Sequence, residues 1–291
     1  MSQHSSITRR MLIGGGAALA IFAASFSVNI GPASAQSTLE MAREQGYIRV
    51  GFANEAPFGF ATPDGKLTGE APEVAKAVLA RLGIEQVDGV LTEFGSLIPG
   101  LQAGRFDIVA AGMFINPARC EQVQFSEPSY GIGQAFLVPD GNPKQITDYS
   151  TIAENPDLKL AVMAGAVEAG YATESGVKED QLLVLPDQSS LLSAVKAGRA
   201  DAAALTALSI AQMAEQEGVE STEPFGEVAG KSVKGHGGFA FRKEDTALYE
   251  AFNAELKEFL GSPEHIALVE PHGFGEAYLP NKTTKELCAG E

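Results

Sequence analysis

An aromatic residue, a proline and an arginine follow a short apolar run near the middle of the sequence. The run Phe106–Ala111 is bounded by turn signals, which predicts a buried strand that leaves its sheet at Gly112. Phe114, Pro117 and Arg119 follow directly. Ligands of open α/β sheets lie outside the carboxyl ends of the strands, where a cation and an aromatic ring can hold a small carboxylate. The alternative is a loop in which Phe114 is core and Arg119 is a solvated charge.

The elements that position this loop follow a strand–helix–strand pattern. Apolar residues at helical spacing from Ala71 to Leu82 predict a helix, and Gly83 stands where a helix-ending glycine belongs. The predicted strands are Ile48–Phe52, Val87–Glu93 and Phe106–Ala111, and a short second helix, Leu97–Ala103, is capped by Ser96 and stopped by Gly104. This order indicates a mainly parallel α/β fold.

A second stretch of the chain repeats one part of this unit. SLIPGLQAGRFDIVAA (Ser96–Ala111) matches SLLSAVKAGRADAAAL (Ser190–Leu205), which predicts two similar α/β lobes. In this alignment Gly112 corresponds to Thr206. Thr206 is therefore expected at the carboxyl end of a strand, facing the same cleft, although it can also cap the helix that follows.

The remaining elements suggest how the chain divides between the lobes. Around the repeat in the second half we expect a strand over Leu158–Met163, a helix from Glu168, a strand over Leu182–Leu185 and a helix capped by Ser189 or Ser190. Gln134–Val138 and Gly235–Phe241 are apolar and are interpreted as crossover strands, which would act as hinges, before a helix over Thr246–Leu260. The expected lobes are 36–134 with 239–291, and 135–238.

The first 35 residues resemble an export leader. Arg9-Arg10 precede an apolar run from Met11 to about Ile30, and Ala33-Ser34-Ala35 has the small-residue pattern of a cleavage site. The sequence favours a twin-arginine signal, with general secretory export or a membrane anchor as alternatives. We therefore expect export to the periplasm and cleavage near Ala35.

Composition excludes several partners. The net charge of the 291 residues is −16, so the chain is a poor candidate for binding nucleic acid or anionic lipid. No second long apolar segment follows the leader, so the mature chain is expected to be soluble. Cys120 and Cys288 are the two cysteines, and an exported protein favours a disulfide between them, with two free thiols as the alternative. The histidines show no metal-ligand spacing around these two cysteines, so neither a metal nor another cofactor is expected.

Two motifs carry a resemblance to a known family. Gly112–Arg119 reads GMFINPAR and is followed by FSEP at Phe125–Pro128, which resembles the signature of solute-binding proteins of polar amino-acid ABC transporters. Within that family the sequence is most similar to the ectoine- and hydroxyectoine-binding branch, through GFANEAPFGF, LTEFGSLIPGL, AGMFI, SYGIGQAFLV and LVEPHGFGEA. The resemblance implies a type II periplasmic-binding-protein fold, a monomer that binds a small molecule between two lobes, and docking on permease subunits.

The resemblance also implies a set of ligand-binding residues. Phe58, Phe94 and Phe114 would form an aromatic box around a delocalised cation, and Glu55 would accept hydrogen bonds from its N–H groups. Arg119 would bind the ligand's carboxylate. From the second lobe, the implied contacts are the backbone N–H groups of Ala166 and Val167, at the start of a helix, and the side chain of Thr206.

Alternatives to these roles and to this function remain at this stage. Phe58 and Phe94 can be core residues, Phe60 competes for the role of Phe58, and Glu55 can cap a turn. Arg119 can pair with a nearby acid such as Glu121 or Glu127. A polar amino acid or a betaine is a second ligand class, although the family's usual threonine and aspartate are replaced by Phe114 and Thr206. An enzyme of the cyclohexadienyl-dehydratase type on the same fold is a third possibility, for which Glu55 is the one strong acid or base candidate.

Overall fold

Alternating strands and helices make up residues 36–291, the part of the chain that the computed structural model describes. The expected leader, 1–35, lies outside the described residues. The strands, in chain order, are β1 (Tyr47–Phe52), β2 (Phe60–Ala61), β3 (Leu67–Thr68), β4 (Gln86–Leu91), β5 (Ile108–Phe114), β6 (Gln124–Phe125), β7 (Tyr130–Ile132), β8 (Gln134–Pro139), β9 (Leu160–Met163), β10 (Leu182–Leu185), β11 (Ala202–Thr206), β12 (Val219–Ser221), β13 (Glu227–Val228), β14 (Lys231–Ser232) and β15 (Gly235–Phe241). The helices are α1 (Thr38–Gln45), α2 (Glu70–Arg81), α3 (Leu97–Gln102), α4 (Pro117–Cys120), α5 (Tyr149–Glu154), α6 (Glu168–Glu174), α7 (Gln188–Lys196), α8 (Ala207–Met213), α9 (Thr246–Phe259), α10 (Pro263–Val269) and α11 (Thr284–Ala289).

Two mixed sheets organise these elements. The first has the order β4-β1-β5-β15-β6, with β7 also paired to β15, and the second has the order β10-β9-β11-β8-β12. In the first sheet β1 runs parallel to β4 and β5, while β15 is antiparallel to β5. In the second, β9 runs parallel to β10 and β11, while β8 is antiparallel to β11. The two sheets therefore share one topology.

The internal repeat is confirmed by this topology. In the first sheet α3 leads into β5, and in the second α7 leads into β11, and each of these strands lies between a parallel and an antiparallel neighbour. The chain passes from one sheet to the other between β7 and β8 and returns after β12. Equivalent strand ends of the two sheets therefore supply the residues that surround a shared cleft.

Strand β5 continues further than the sequence predicts. The expected strand ends before Gly112, whereas β5 continues to Phe114. The cause is its antiparallel neighbour, because Gly237 and Gly238 of β15 pair with Phe114 and Met113. Phe114 is therefore fixed at the end of a strand in the sheet, and its ring packs over Gly235, where any Cβ would clash with the ring.

The cap of α7 also differs from the prediction. Neither Ser189 nor Ser190 caps this helix; the cap is Asp187, whose carboxylate accepts a hydrogen bond from the Ser190 N–H at 2.7 Å. An aspartate caps a helix as well as a serine does, so the sequence pattern alone did not separate the two. The shift places Gln188 in the first turn of the helix.

Buried apolar side chains fill the space between each sheet and its helices. The face of the first sheet that includes Ile48 and Val50 packs against Val74 of α2 and Phe252 of α9. The second sheet packs one face against α7 and the other against α5 and α6. Burial of these faces is the main stabilising contribution to both halves.

Within residues 36–291 no helix combines the length and the apolar character needed to span a bilayer. The same residues contain no group of three or more histidine, cysteine, aspartate or glutamate side chains placed to hold a metal ion.

A buried acid at the start of α2 predicts a pH dependence of stability. Glu70 is 1 % exposed and neither of its carboxyl oxygens has a hydrogen-bond partner among the described residues. Burial raises the pKa of Glu70 from 4.5 to about 7, so the native state binds an extra proton between these values. The contribution of Glu70 to the free energy of unfolding therefore falls as the pH rises from about 4.5 to about 7. We expect Glu70→Gln to reduce the fall in Tm between about pH 5 and about pH 8 by several degrees.

The matched control for this prediction is Glu85→Gln, since Glu85 is an exposed acid that follows the same helix. Its Tm profile should follow that of the wild type. Thermal unfolding monitored by circular dichroism across this range decides the point, and equal Tm profiles for Glu70→Gln and the wild type would contradict it.

Candidate ligand-binding site

A cavity lies where the carboxyl ends of strands from both sheets meet. Its empty volume, including the solvent at its mouth, is about 280 Å³. Strands β5, β9 and β11 each contribute residues at or near their last positions, which is where α/β folds bind ligands. The lining residues are Glu55, Phe94, Gly112, Phe114 and Arg119 from the side of the first sheet, and Met163, Ala166, Val167, Glu168, Leu205 and Thr206 from the side of the second.

Arg119 is held rigidly at one wall of the cavity. It belongs to α4, a short helix that Pro117 begins and Asn116 caps by accepting the Arg119 N–H at 2.9 Å. Its Nη1 donates to Phe114 O at 2.7 Å and its Nη2 donates to Gly165 O at 2.9 Å. Guanidinium has five N–H donors, so donors remain for a ligand carboxylate. Burial lowers the pKa of Arg119, but a guanidinium stays protonated in proteins.

A disulfide lies next to this arginine. Cys120 follows Arg119 in α4 and is bonded to Cys288 of α11, so the expected disulfide is present. The C-terminal segment is attached at a second point, since Thr284 Oγ1 donates to Ser126 O at 2.5 Å and Thr284 N donates to Glu127 Oε2 at 2.9 Å. These contacts hold α11 against the loop that positions Arg119.

Two of the three expected aromatic side chains line the cavity. Phe94 and Phe114 are both buried, and the Arg119 guanidinium carbon lies 5.5 Å from the centroid of the Phe94 ring. Phe58 does not line the cavity. It is in the core behind Gly112, with its ring centroid 5.0 Å from that of Tyr130, and a Cβ at Gly112 would clash with its ring.

The competing aromatic, Phe60, lies in neither place. It is half-buried in β2, and its ring centroid is 6.4 Å from that of His272, along a separate groove. Periodicity on an irregular loop does not specify which side chains face a ligand, and this is why the sequence left Phe58 and Phe60 in competition.

Glu55 faces the cavity as an acid removed from water. It is 5 % exposed, and its Oε1 accepts a hydrogen bond from Ser209 Oγ at 2.8 Å. Burial raises the pKa of Glu55 to about 8; the Ser209 hydrogen bond and the charge of Arg119 oppose this shift, while Glu168 adds to it. A cationic ligand would stabilise its ionised form.

A second buried acid in the cavity was not identified from the sequence. Glu168 is the first residue of α6, and burial raises its pKa to about 7. When the Gln134 amide is oriented with its nitrogen towards these oxygens, which satisfies both, it donates to Glu168 Oε1 and to Leu205 O, at 3.0 Å each. Glu168 Oε2 has no partner among the described residues. An acid in the first turn of a helix is common for electrostatic reasons alone, so the sequence held no specific signal for it.

The other residues expected from the second lobe are placed unequally. Ala166 and Val167 both line the cavity, but the Ala166 N–H already donates to Met163 O at 3.2 Å. Thr206 makes no side-chain cap for α8, and its buried Oγ1 lacks a partner within the described residues. Thr206 therefore has a free hydroxyl at the cavity, whereas the Ala166 amide is engaged.

Direct contacts across the cleft close the cavity. The Gln188 side chain makes two hydrogen bonds with the backbone of Ala56, with Ala56 N donating at 3.0 Å and Gln188 Nε2 donating to Ala56 O at 2.9 Å. Gly95 and Gly165 approach closely, so that a Cβ on Gly165 would lie 2.5 Å from Gly95 Cα. With the Arg119 contact to Gly165 O, these interactions join the two sides around the cavity.

Comparison with known proteins identifies the family. The family model of bacterial extracellular solute-binding proteins, family 3, matches residues 48–275. The chain belongs to this family. It has the type II periplasmic-binding-protein fold and is a periplasmic solute-binding component of an amino-acid-type ABC transporter. Binding proteins of the family bind a small molecule and interact with ABC permease subunits.

Relatives of this solute-binding protein include a probable amino-acid ABC transporter periplasmic-binding protein, y4tE, of Sinorhizobium fredii, 41% identical over 260 residues that cover 87% of this chain and 86% of the relative. The lysine/arginine/ornithine-binding periplasmic protein of Escherichia coli is 28% identical over 222 residues, covering 72% and 81%.

Among solved structures, EhuB in complex with hydroxyectoine superimposes with a TM-score of 0.81 at 39% identity, covering 88% of this chain and 100% of EhuB. The ancestral amino-acid-binding protein AncCDT-1, a precursor of cyclohexadienyl dehydratase, has a TM-score of 0.71 at 31% identity, covering 81% and 99%.

Proposed function

We propose that this protein captures ectoine or hydroxyectoine in the periplasm and delivers it to the permease subunits of an ABC importer. The observation that carries the proposal is the chemistry of one closed cavity. Arg119, two aromatic faces from Phe94 and Phe114, and the buried acid Glu55 all line it. Ectoine is a cyclic amidinium carboxylate, so it offers a carboxylate, a flat delocalised cation and ring N–H groups to these partners.

Each group has a distinct role in this proposal. Arg119 binds the carboxylate with the N–H donors that its backbone contacts leave available. Phe94 and Phe114 attract the delocalised cation, at about 0.5–2 kcal/mol for each ring. Glu55 accepts a ring N–H and gives the cation a fixed orientation. Thr206 Oγ1 and the Val167 N–H offer further polar contacts.

The structure that resembles this chain and contains hydroxyectoine supports the same ligand class.

An amino acid is the second candidate, because relatives include proteins named for binding lysine, arginine, ornithine and histidine. Two features favour the cyclic amidinium instead. The position of the family's usual threonine after Gly-Met is Phe114, which adds an aromatic wall, and Thr206 replaces the acid that usually binds an α-ammonium group.

The ligand binds between two lobes, one formed by 36–134 with 239–291 and the other by 135–238, and the lobes close around it. The protein acts as a monomer and is exported by a leader that is cleaved near Ala35. The lobes close because the ligand adds contacts that the open form lacks, which shifts the population towards the closed form.

Calorimetric titration of the protein without its leader tests the assignment. We expect saturable binding of ectoine or hydroxyectoine at one ligand per protein, and a much lower affinity for arginine, histidine or glycine betaine. Tight binding of arginine without detectable ectoine binding would overturn the ligand assignment and leave the transporter family intact.

The contact between Gln188 and Ala56 predicts an effect that is independent of the ligand. Both hydrogen bonds join the two sides of the cleft, so they exist only when it is closed. At about 0.5–1.5 kcal/mol for each of the two bonds, Gln188→Ala should weaken the binding of ectoine and hydroxyectoine by the same factor, about five- to 150-fold. Calorimetry with both ligands measures this factor.

Gln216→Ala is the control, because Gln216 is an exposed glutamine on the same side of the cleft. Unequal losses for the two ligands would show that Gln188 contacts the ligand, and no loss would show that this contact does not contribute to closure.

A further inference from the structure

The charged groups that line the cavity are unequal in number. Two acids, Glu55 and Glu168, face one base, Arg119. No other acidic or basic side chain is among the described residues that line it. All three are at least nine-tenths buried, so bulk water screens them poorly. The protonation states of the two acids therefore depend on which ligand occupies the cavity.

The environment of Glu168 favours a protonated carboxyl group. Its Oε1 accepts a hydrogen bond from the Gln134 amide, whereas Oε2 has no partner within residues 36–291 and can carry a proton. The ionisable groups that act on Glu168, from every element packed against it, are Arg119, Glu55, Tyr130, Tyr149 and Tyr171. Arg119 is the one cation in this set, and it is also the partner proposed for the ligand's carboxylate.

A zwitterionic ligand leaves one acid without a cationic partner. Its carboxylate pairs with Arg119, and its cation pairs with one carboxylate, which is Glu55 in the proposed function. A second ionised carboxylate would then be buried and unpaired, and a buried group in this position takes up a proton instead. The complex would be neutral with one proton on Glu168.

We propose that Glu168 holds a proton in the ligand complex and donates its Oε2–H to the ligand, which makes this protein selective for zwitterions without net charge. This inference rests on the proposed function. Glu168 then determines specificity, because an ionised Glu168 would favour a ligand with a second cationic group, such as arginine, over ectoine.

The proposal predicts a bell-shaped dependence of affinity on pH. In the closed cavity without a ligand, burial raises the pKa values of Glu168 and Glu55 to about 7 and about 8. Below about pH 7 both are protonated, so binding must release the proton of Glu55, and affinity falls as the pH decreases. Above about pH 8 both are ionised, so binding must take up a proton, and affinity falls up to about tenfold for each pH unit. The maximum lies between these values.

Calorimetry with ectoine from about pH 6 to about pH 9, in phosphate and in Tris buffer, counts the protons exchanged, because the two buffers differ in ionisation heat. We expect uptake of close to one proton per ligand above about pH 8. Glu168→Gln keeps the shape and a donor but cannot ionise, so its ectoine affinity should lose the alkaline fall while keeping the acidic one. Glu174→Gln, at an exposed acid of the same helix, should keep both the acidic and the alkaline fall in ectoine affinity.

The outcomes are distinct. Wild-type affinity that does not change above about pH 8, or an alkaline fall that persists in Glu168→Gln, overturns the role of Glu168 and leaves ectoine binding intact. The proton count in wild-type protein needs no variant, so it holds even if Glu168→Gln fails to fold. Absence of ectoine binding at every pH would overturn the proposed function and this inference with it.

Discussion

Arg119→Met should weaken ectoine binding by about 30-fold or more, because loss of one partner from a buried, hydrogen-bonded ion pair typically costs about 2–5 kcal/mol. The structure gives no replacement, since no other basic residue lines the cavity within the described residues. The side chain also donates to Phe114 O and Gly165 O, so the variant loses part of the wall and part of the contact across the cleft. Calorimetric titration gives the affinity, and a thermal melt gives the stability.

Arg105→Met is the control for this prediction. Arg105 is exposed and belongs to the Ala-Gly-Arg motif before β5, so the change in net charge is the same without a change at the cavity. Its affinity should equal that of the wild type. An Arg119→Met variant that folds and binds ectoine within about threefold of the wild type would exclude Arg119 as the carboxylate partner.

Phe114→Leu should weaken ectoine binding by about ten- to thirtyfold with little change in Tm. Leucine keeps much of the apolar volume over Gly235 but removes the aromatic face, which contributes about 0.5–2 kcal/mol to the binding of a cation, together with part of the shape of the wall. Phe114 is the last residue of β5, so the backbone that carries the new side chain stays paired to β15. Affinity from calorimetry is the readout.

Phe136→Leu serves as the comparison for Phe114→Leu. Phe136 is a fully buried aromatic of β8 that packs on Tyr149, away from the cavity lining. This variant should lose some stability and keep its ectoine affinity. If Phe136→Leu lost ectoine affinity while Phe114→Leu kept it, the aromatic wall would not bind the cation.

The sequence predicted the part of the site that strands position directly. Phe114, Arg119 and Thr206 follow or end strands whose apolar runs are visible in the sequence, and the repeat aligned the two strands with each other. Strand ends in α/β sheets meet at one edge, so placing the strands also placed these side chains. The repeat was a reliable guide because both sheets use the same strand order.

The residues that the sequence placed poorly are fixed by packing rather than by periodicity. Phe58 was expected at the ligand, but Gly112 has no side chain, which lets the Phe58 ring pack behind the cavity wall against Tyr130. Ala166 was expected to offer its N–H, but a local turn uses it. Glu168 was missed, because the residues that interact with it in the cavity, Gln134 and Arg119, are distant in sequence and adjacent only after folding.

A crystal structure of the protein with ectoine is the most direct test of the binding mode. We expect the ligand inside the closed cavity, its carboxylate on the guanidinium of Arg119, its ring between Phe94 and Phe114, and a ring N–H directed at Glu55. Electron density that places the carboxylate away from Arg119, or the ring outside the space between these two aromatic side chains, would contradict the account.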